Sequence, residues 1–194
     1  MKKTLIFFIV LFAQVLFAQK NKKLTFNPKF EMGFQTYFFF GDNYLSKGHT
    51  NPAIGAELNL QIISFNNINA GFGVKKTTLK VEDIEIGGNI DKSNLNSFQG
   101  FVSYSLKSKK LEFIPQFAYG GIENRQKMGS KLYGVQKGNL FELSVSLNYQ
   151  LDKNLQSYIR IGTTKYVFNI NTTPEFSSYF KNSNGINISI GIRI

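Results

Sequence analysis

A chain of 194 residues with 42% apolar side chains, no Cys, no Trp and a single His leaves few chemical classes open. Without cysteine there is no disulfide framework, no thiolate zinc site and no thiol nucleophile, and one histidine cannot build a multi-histidine metal centre. Only 18% of residues are charged while Phe and Tyr number 20 and 9, a composition that excludes a disordered chain and suits one folded domain.

The chain opens on Met1-Lys2-Lys3, an apolar run over residues 5–17 and then Ala18-Gln19. A basic start, a 13-residue apolar stretch and a small residue at the cut read as a secretory signal peptide over 1–18, although the position three before the cut is Leu16 where a smaller residue is usual. The run is too short for a bilayer helix, which takes about 20 residues. Residues 19–28 then read as a basic tail carrying Lys20, Lys22 and Lys23, and 29–194 as the folded domain. Loss of the leader takes the formal charge from +11 to +9. An exported chain seldom meets nucleic acid, so the positive balance is not read as a nucleic-acid partner.

From residue 29 onward the side chains alternate with period two, the signature of strands with unlike faces. The chain predicts strands over 29–39, 53–63, 67–76, 96–106, 111–122, 141–151, 155–165 and 185–194. In the second, Ile54, Ala56, Leu58, Leu60 and Ile62 oppose Gly55, Glu57, Asn59 and Gln61; in the last, Ile186 to Ile194 alternate with Asn187, Ser189, Gly191 and Arg193. Pro115 blemishes the fifth strand, because proline removes a ladder donor. No amphipathic helix is predicted.

The connections alternate as regularly as the residues. Those at 64–66, 107–110 and 152–154 are tight, and those at 40–52, 77–95, 123–140 and 166–185 are long. An antiparallel meander then gathers every tight turn, and both chain ends, at one rim. This is the asymmetry of an outer-membrane barrel with short periplasmic turns and long external loops. The predicted fold class is therefore all-β: a closed antiparallel up-and-down transmembrane barrel of eight strands, or of ten if the second and fourth loops each hide a pair. Aromatic residues near the strand ends (Tyr104, Phe113 and Tyr149 at the turn rim, Phe38, Tyr119 and Phe141 at the loop rim) are placed as interfacial girdles are. The inverse arrangement, a soluble lipocalin-like barrel with the isoleucines around a hydrophobic ligand, has the same periodicity.

With its leader, alternating strands, loop rhythm and C-terminal strand, the mature chain resembles the small outer-membrane barrels of the OmpX and OmpA transmembrane-domain type. The resemblance implies a structural, surface-interaction or adhesion role through the loops, integral residence in the cell outer membrane with both termini in the periplasm, and contact with the barrel-assembly machinery during insertion. That machinery is thought to read an aromatic last residue, and this chain ends in Ile194. The outer-membrane lipid and lipopolysaccharide are the expected surroundings, with the chain a monomer. Palmitoyl-transferring barrels carry a His in the first loop and adjacent Asp-Ser in the second; here His49 stands in the first, but Lys92 separates Asp91 from Ser93. The lone His reads as a solvated loop residue, and no catalytic function is predicted.

Alternation assigns seven charges to the interior: Glu31, Glu57, Lys75, Glu112, Glu142, Arg160 and Arg193. Charges in a narrow lumen need partners. Register places Glu57 diagonally across from Lys75 and Arg193 beside Glu31 at the periplasmic end, a structural network that plugs the lumen. The third loop is basic (Arg125, Lys127, Lys131, Lys137) and predicts a charge-assisted contact with lipopolysaccharide phosphates. The second is acidic (Glu82, Asp83, Glu85, Asp91) with Val81, Ile84 and Ile86 between, and reads as a sheet protruding from the third strand. Its acids lack the spacing of a Ca²⁺ loop, Gly87-Gly88 reads as a turn, and neither a metal nor a cofactor is predicted.

Overall fold

The computed structural model describes residues 24–83, 85 and 89–194. The signal peptide, residues 19–23 of the basic tail, Ile84 and the segment from Ile86 through Gly88 lie outside the described residues. The elements are β1 (Thr25–Phe40), α1 (Tyr44–Lys47), β2 (Ala53–Phe65), β3 (Ile68–Lys80), β4 (Lys92–Tyr104), β5 (Leu106–Ser108), β6 (Leu111–Met128), β7 (Lys131–Asp152), β8 (Leu155–Asn169), α2 (Pro174–Lys181) and β9 (Asn182–Arg193). All neighbouring strands run antiparallel, and β1 pairs with β9 from Glu31↔Arg193 to Phe40↔Asn184, so the sheet closes on itself.

The barrel has eight strands, because β4 and β5 are one strand interrupted at Ser105 and both pair with β6 in a single register. The register carries Tyr104 opposite Pro115, which has no N–H to give, and the ladder resumes at Leu106↔Phe113. Ser105 keeps its bond on the β3 side, donating its N–H to the Asn67 carbonyl at 2.7 Å. The fourth long connection holds the helix α2, not a further strand pair.

Every predicted strand is present, and most run longer than the alternation suggested. β1 begins at Thr25, four residues inside the expected tail, because Thr25 and Phe26 pair with Ser64 and Ile63 across a slip at Asn27-Pro28. The largest departure is the third long connection. There β6 and β7 continue to Met128 and Lys131 around Gly129-Ser130, with Gly129 in the left-handed region (φ 58). The protruding sheet expected of the second loop therefore belongs to the third. In the second loop β3 ends at Lys80, and the described residues beyond it make a single bridge, His49↔Val81.

The faces sort by solvent. Ile54, Leu58, Phe98, Leu143, Ile161, Ile186 and Ile190 stand exposed on the outside, while Gln35, Asn59, Gln99, Asn148 and Ser189 are buried within. The six girdle aromatics are all on the outside, and the Tyr119 and Phe141 rings lie 4.9 Å apart at the loop rim. A water-soluble ligand-binding barrel needs the opposite polarity, with apolar residues lining the cavity, so the lipocalin-like arrangement does not hold.

An outward Arg tests this polarity. Ile161→Arg, at 56% exposure, would be near neutral on a water-facing surface. Facing lipid near mid-strand, it costs about 2–4 kcal/mol. Urea titration of the protein refolded in vesicles, followed by its heat-modifiable gel band, should show that loss.

Candidate functional site

The inside of the barrel is filled in two tiers. The tier toward the turn rim is ionic. Arg160 reaches across from β8 to Glu31 (2.5 Å) and Glu57 (2.9 Å), and its Nε donates to Ser146 Oγ (2.7 Å). Lys75 donates to both oxygens of Glu142 (2.7 Å each) and stands 3.4 Å from Glu57. Arg193 lies 3.3 Å from both Glu31 and Glu112 and donates to Gln61 Oε1 (2.6 Å). Tyr158 donates to Glu57 (2.9 Å) and lies 4.9 Å beneath the Arg160 guanidinium. Its ring fits because the opposed residues Gly33 and Gly191 have no side chains. A β-carbon at Gly33 would meet Tyr158 Oη, and one at Gly191 would sit 2.8 Å from the ring.

All seven charges that alternation turned inward are in this network and all are buried. Glu57↔Lys75 and Glu31↔Arg193 are directly opposed, the first pair not diagonal as register arithmetic had it. Four carboxylates face three inward cations, and a fourth cation, Lys107, stands 3.8 Å from Glu112 at the mouth. The alternation of Ser103 and Ser105 points to Lys107 as inward, but it is hidden in a turn with two other lysines. The shortest ion pairs of the network, Arg160–Glu31 and Lys75–Glu142, join strands that are not neighbours, so no strand-by-strand reading finds them.

The tier toward the loop rim is aromatic. Tyr37, Phe39, Tyr166 and Phe168 stack with ring centroids 5.7–6.4 Å apart, packed with Leu79, Leu95, Ile122 and Leu140. The long connections seal it. α1 sends Tyr44 and Leu45 inward, and its Asn43 cap accepts the Ser46 N–H at 3.1 Å. α2 lays Tyr179 and Phe180 against the same cluster, Phe180 lying 5.5 Å from Tyr44.

His49 is part of this seal and not a solvated loop residue: it is 2% exposed. Its Nδ1 faces the Tyr44 carbonyl (3.3 Å) and its Nε2 faces Ser93 Oγ (2.8 Å). A carbonyl can only accept, so Nδ1 carries the proton and Nε2 accepts from the serine. This is the hydrogen-bond order of a serine–histidine pair, but Ser93 is fully buried and the Asp91 carboxylate is turned away to the Gly129 N–H. Burial pushes the imidazole pKa down to about 4, against a smaller upward pull from the Tyr44 carbonyl. The sequence placed both residues in loops; only the bridge His49↔Val81 brings them together.

The third-connection cations lie on the rising β6–β7 hairpin, where Arg125 is held by Glu123 at 2.7 Å. Lys127, Lys131 and Lys137 form no ion pair among the described residues, nor do the second-loop acids gather into a metal-binding cluster there.

No family model and no curated protein matches the chain by sequence. Solved structures match it in shape. Neisserial surface protein A superimposes with a TM-score of 0.62 at 12% identity, over 89% of this chain and 98% of that one. The fold is that of the small outer-membrane barrels. Ail, the attachment invasion locus protein of Yersinia pestis, superimposes at 0.50 with 9% identity, over 86% and 97%. The protease OmpT of Escherichia coli covers 90% of this chain at only 0.38 and 10%, too loose a likeness to bear on chemistry.

Two outcomes follow from the two tiers. Arg160→Met leaves Glu31 and Glu57 without their shortest partner and should destabilise the folded barrel by about 3–5 kcal/mol in urea titration. Adding Glu57→Gln, which removes one stranded charge, should recover part of that loss. His49 has a folded pKa below its unfolded one, so the unfolded loop binds the extra proton and the seal weakens as pH falls from about 6.5 toward 4. Protease cleavage in residues 40–52 should accelerate over that range, and His49→Gln should flatten the dependence.

Proposed function

We propose that the chain is an integral protein of the cell outer membrane that does not conduct, and that it acts at the cell surface through its extracellular parts, as a structural or adhesive element. The observation that carries this reading is the double filling of the lumen, ionic toward one rim and aromatic toward the other, under two packed loop helices. Such an interior leaves no path for a sugar-sized solute, and the chemistry available to partners lies in what rises above the membrane. That part is chiefly the β6–β7 hairpin, with Leu132, Tyr133 and Val135 exposed beside Arg125, Lys127, Lys131 and Lys137. In this reading both termini face the periplasm, on the side of the three tight turns, and the closed sheet favours a monomer with no edge to pair. The barrel-assembly machinery inserts it, and the hairpin cations contact lipopolysaccharide phosphates. The surface role is a fold-level analogy with Neisserial surface protein A and the attachment protein Ail.

The test has two readouts. In planar bilayers the purified protein should pass no sugars, and Arg193→Ala should leave it closed because the aromatic tier remains; a wild-type sugar pore refutes the closed reading. Replacing residues 125–135 by a two-residue turn should preserve the heat-modifiable band and lower the binding of whole cells to host or abiotic surfaces.

The His49–Ser93 contact favours a second reading, a lipid A-modifying enzyme in which the seal opens to expose the serine. Lipid A acylation unchanged in a His49→Ala strain removes it.

A further inference from the structure

We propose that the outer ends of β3, β4 and β6 carry a binding site for the phosphorylated headgroup of an outer-leaflet glycolipid, built on a row of three lysines, Lys80, Lys92 and Lys127. The inference rests on the membrane placement proposed above, and it assigns a site that spans three strands and not one loop.

Lys80 pairs directly with Lys92, and Lys92 directly with Lys127. Directly opposed residues share a face, with β-carbons about 4.5–5.5 Å apart, and like charges there are destabilising. The face is the outer one: Leu79 and Ser93 next in the chain are fully buried, and Gln126 turns inward to donate to Tyr44 Oη at 2.9 Å. Three cations therefore stand side by side on the outside of the barrel. Among the described residues none of them has an acid within ion-pairing distance.

The two rows further down the same face leave no acid free for them. The next row inward is Thr78, Asn94 and Arg125, where Thr78 donates to Asn94 Oδ1 at 3.0 Å. The row below it is Lys76, Asn96, Glu123 and Lys137. Glu123 is the one acid in these three rows, and it is engaged by Arg125. Asp91, next to Lys92 in the chain, accepts from the Gly129 N–H, and Asp83 accepts from the Glu85 N–H at 2.9 Å. These three rows thus carry six cations and one carboxylate, with Glu82 and Asp91 at their outer edge.

Height selects the occupant. Immediately below the Lys76 row the same face turns apolar, with Val74 opposite Phe98 and the Phe72 and Phe98 rings stacked at 5.8 Å. At about 3.3 Å per residue, Lys76 lies about 7 Å and Lys80 about 20 Å along the strand from Val74, and a tilt of about 40° lowers both. That is the depth of headgroups beside lipid-facing strands. A phosphate there offers several acceptor oxygens and a charge of about −1.5 to −2 to a ladder that otherwise repels itself.

The test uses the full folded chain in detergent, with bis-phosphorylated lipid A as probe and dephosphorylated lipid A and inorganic phosphate as comparisons. Phosphorylated lipid A should raise the melting temperature of the heat-modifiable band. K80Q/K92Q/K127Q should weaken its binding on the order of tenfold or more, while melting at the same or a higher temperature without lipid because the repulsion is gone. A charge-matched variant at the turn rim, K109Q/K110Q/K153Q, should bind as wild type. Unchanged affinity in the ladder variant overturns the site. So does equal protection by inorganic phosphate or dephosphorylated lipid, which removes the headgroup assignment. A ladder variant less stable without lipid means that the lysines are neutralised within the protein, and also overturns it. These readouts are independent of conductance and cell binding, so the site and the surface role can fail separately.

Discussion

Ten residue pairs, Glu31↔Arg193 to Phe40↔Asn184, join the first strand to the last, and the rest of the molecule depends on that seam. A hydrocarbon layer offers no partner to a backbone N–H or C=O, so a sheet can cross it only if no edge is left open. Closure satisfies the ladder all round and forces the side chains of each strand to choose between two enclosures, lipid outside and a narrow bore inside. Pro115 shows how tightly the ladder is held: the missing donor breaks the strand only around Ser105, and the register continues unchanged through β5.

Once closed, the bore has to be filled, and its two tiers are filled by different physics. Toward the turn rim the residues are polar, with seven buried charges whose desolvation would be prohibitive without partners. They form a chain: Arg160 holds Glu31 and Glu57, Glu57 also meets Lys75, Lys75 holds Glu142, and Arg193 ties Glu31 to Glu112. Each carboxylate in the middle of the chain serves two cations, so removing one member leaves its neighbours only partly compensated. Toward the loop rim the bore is filled by stacked rings, and α1 and α2 fold back because Tyr44, Leu45, Tyr179 and Phe180 can bury apolar surface there. The loop helices are held by this burial more than by their own propensity, since α1 is a single turn.

The loop rim combines a rigid seal with a projecting ribbon. His49, neutral and buried, fastens the first connection to β4 through Ser93, while the third connection rises as a paired ribbon. Polar residues on both faces of that ribbon suit water on both sides. The cations on its outer face continue across β4 and β3 as Lys92 and Lys80, which makes the loop rim a positively charged band on the outside of the barrel.

Much of the barrel was legible in the chain because a strand between unlike media writes its two faces into alternate residues. Eight such segments, tight and long connections in turn, and the inward parity of Glu31, Glu57, Lys75, Glu112, Glu142, Arg160 and Arg193 are all local or nearest-neighbour information. What failed to show was of two kinds. Residues 123–137 have no apolar alternation, since the inward residues Asn124 and Gln126 and the outward Glu123, Arg125 and Lys127 are all polar, so a paired ribbon read as a loop. The contacts Arg160–Glu31, Lys75–Glu142, His49–Ser93 and the Lys80–Lys92–Lys127 row depend on which strands end up beside or across from one another. The period, the polarity and the rim of each turn follow from single residues and their neighbours. Only closure into a barrel decided which charges meet across the bore and which lysines stand together outside it, because those distances are set by strand register and curvature summed around the whole ring.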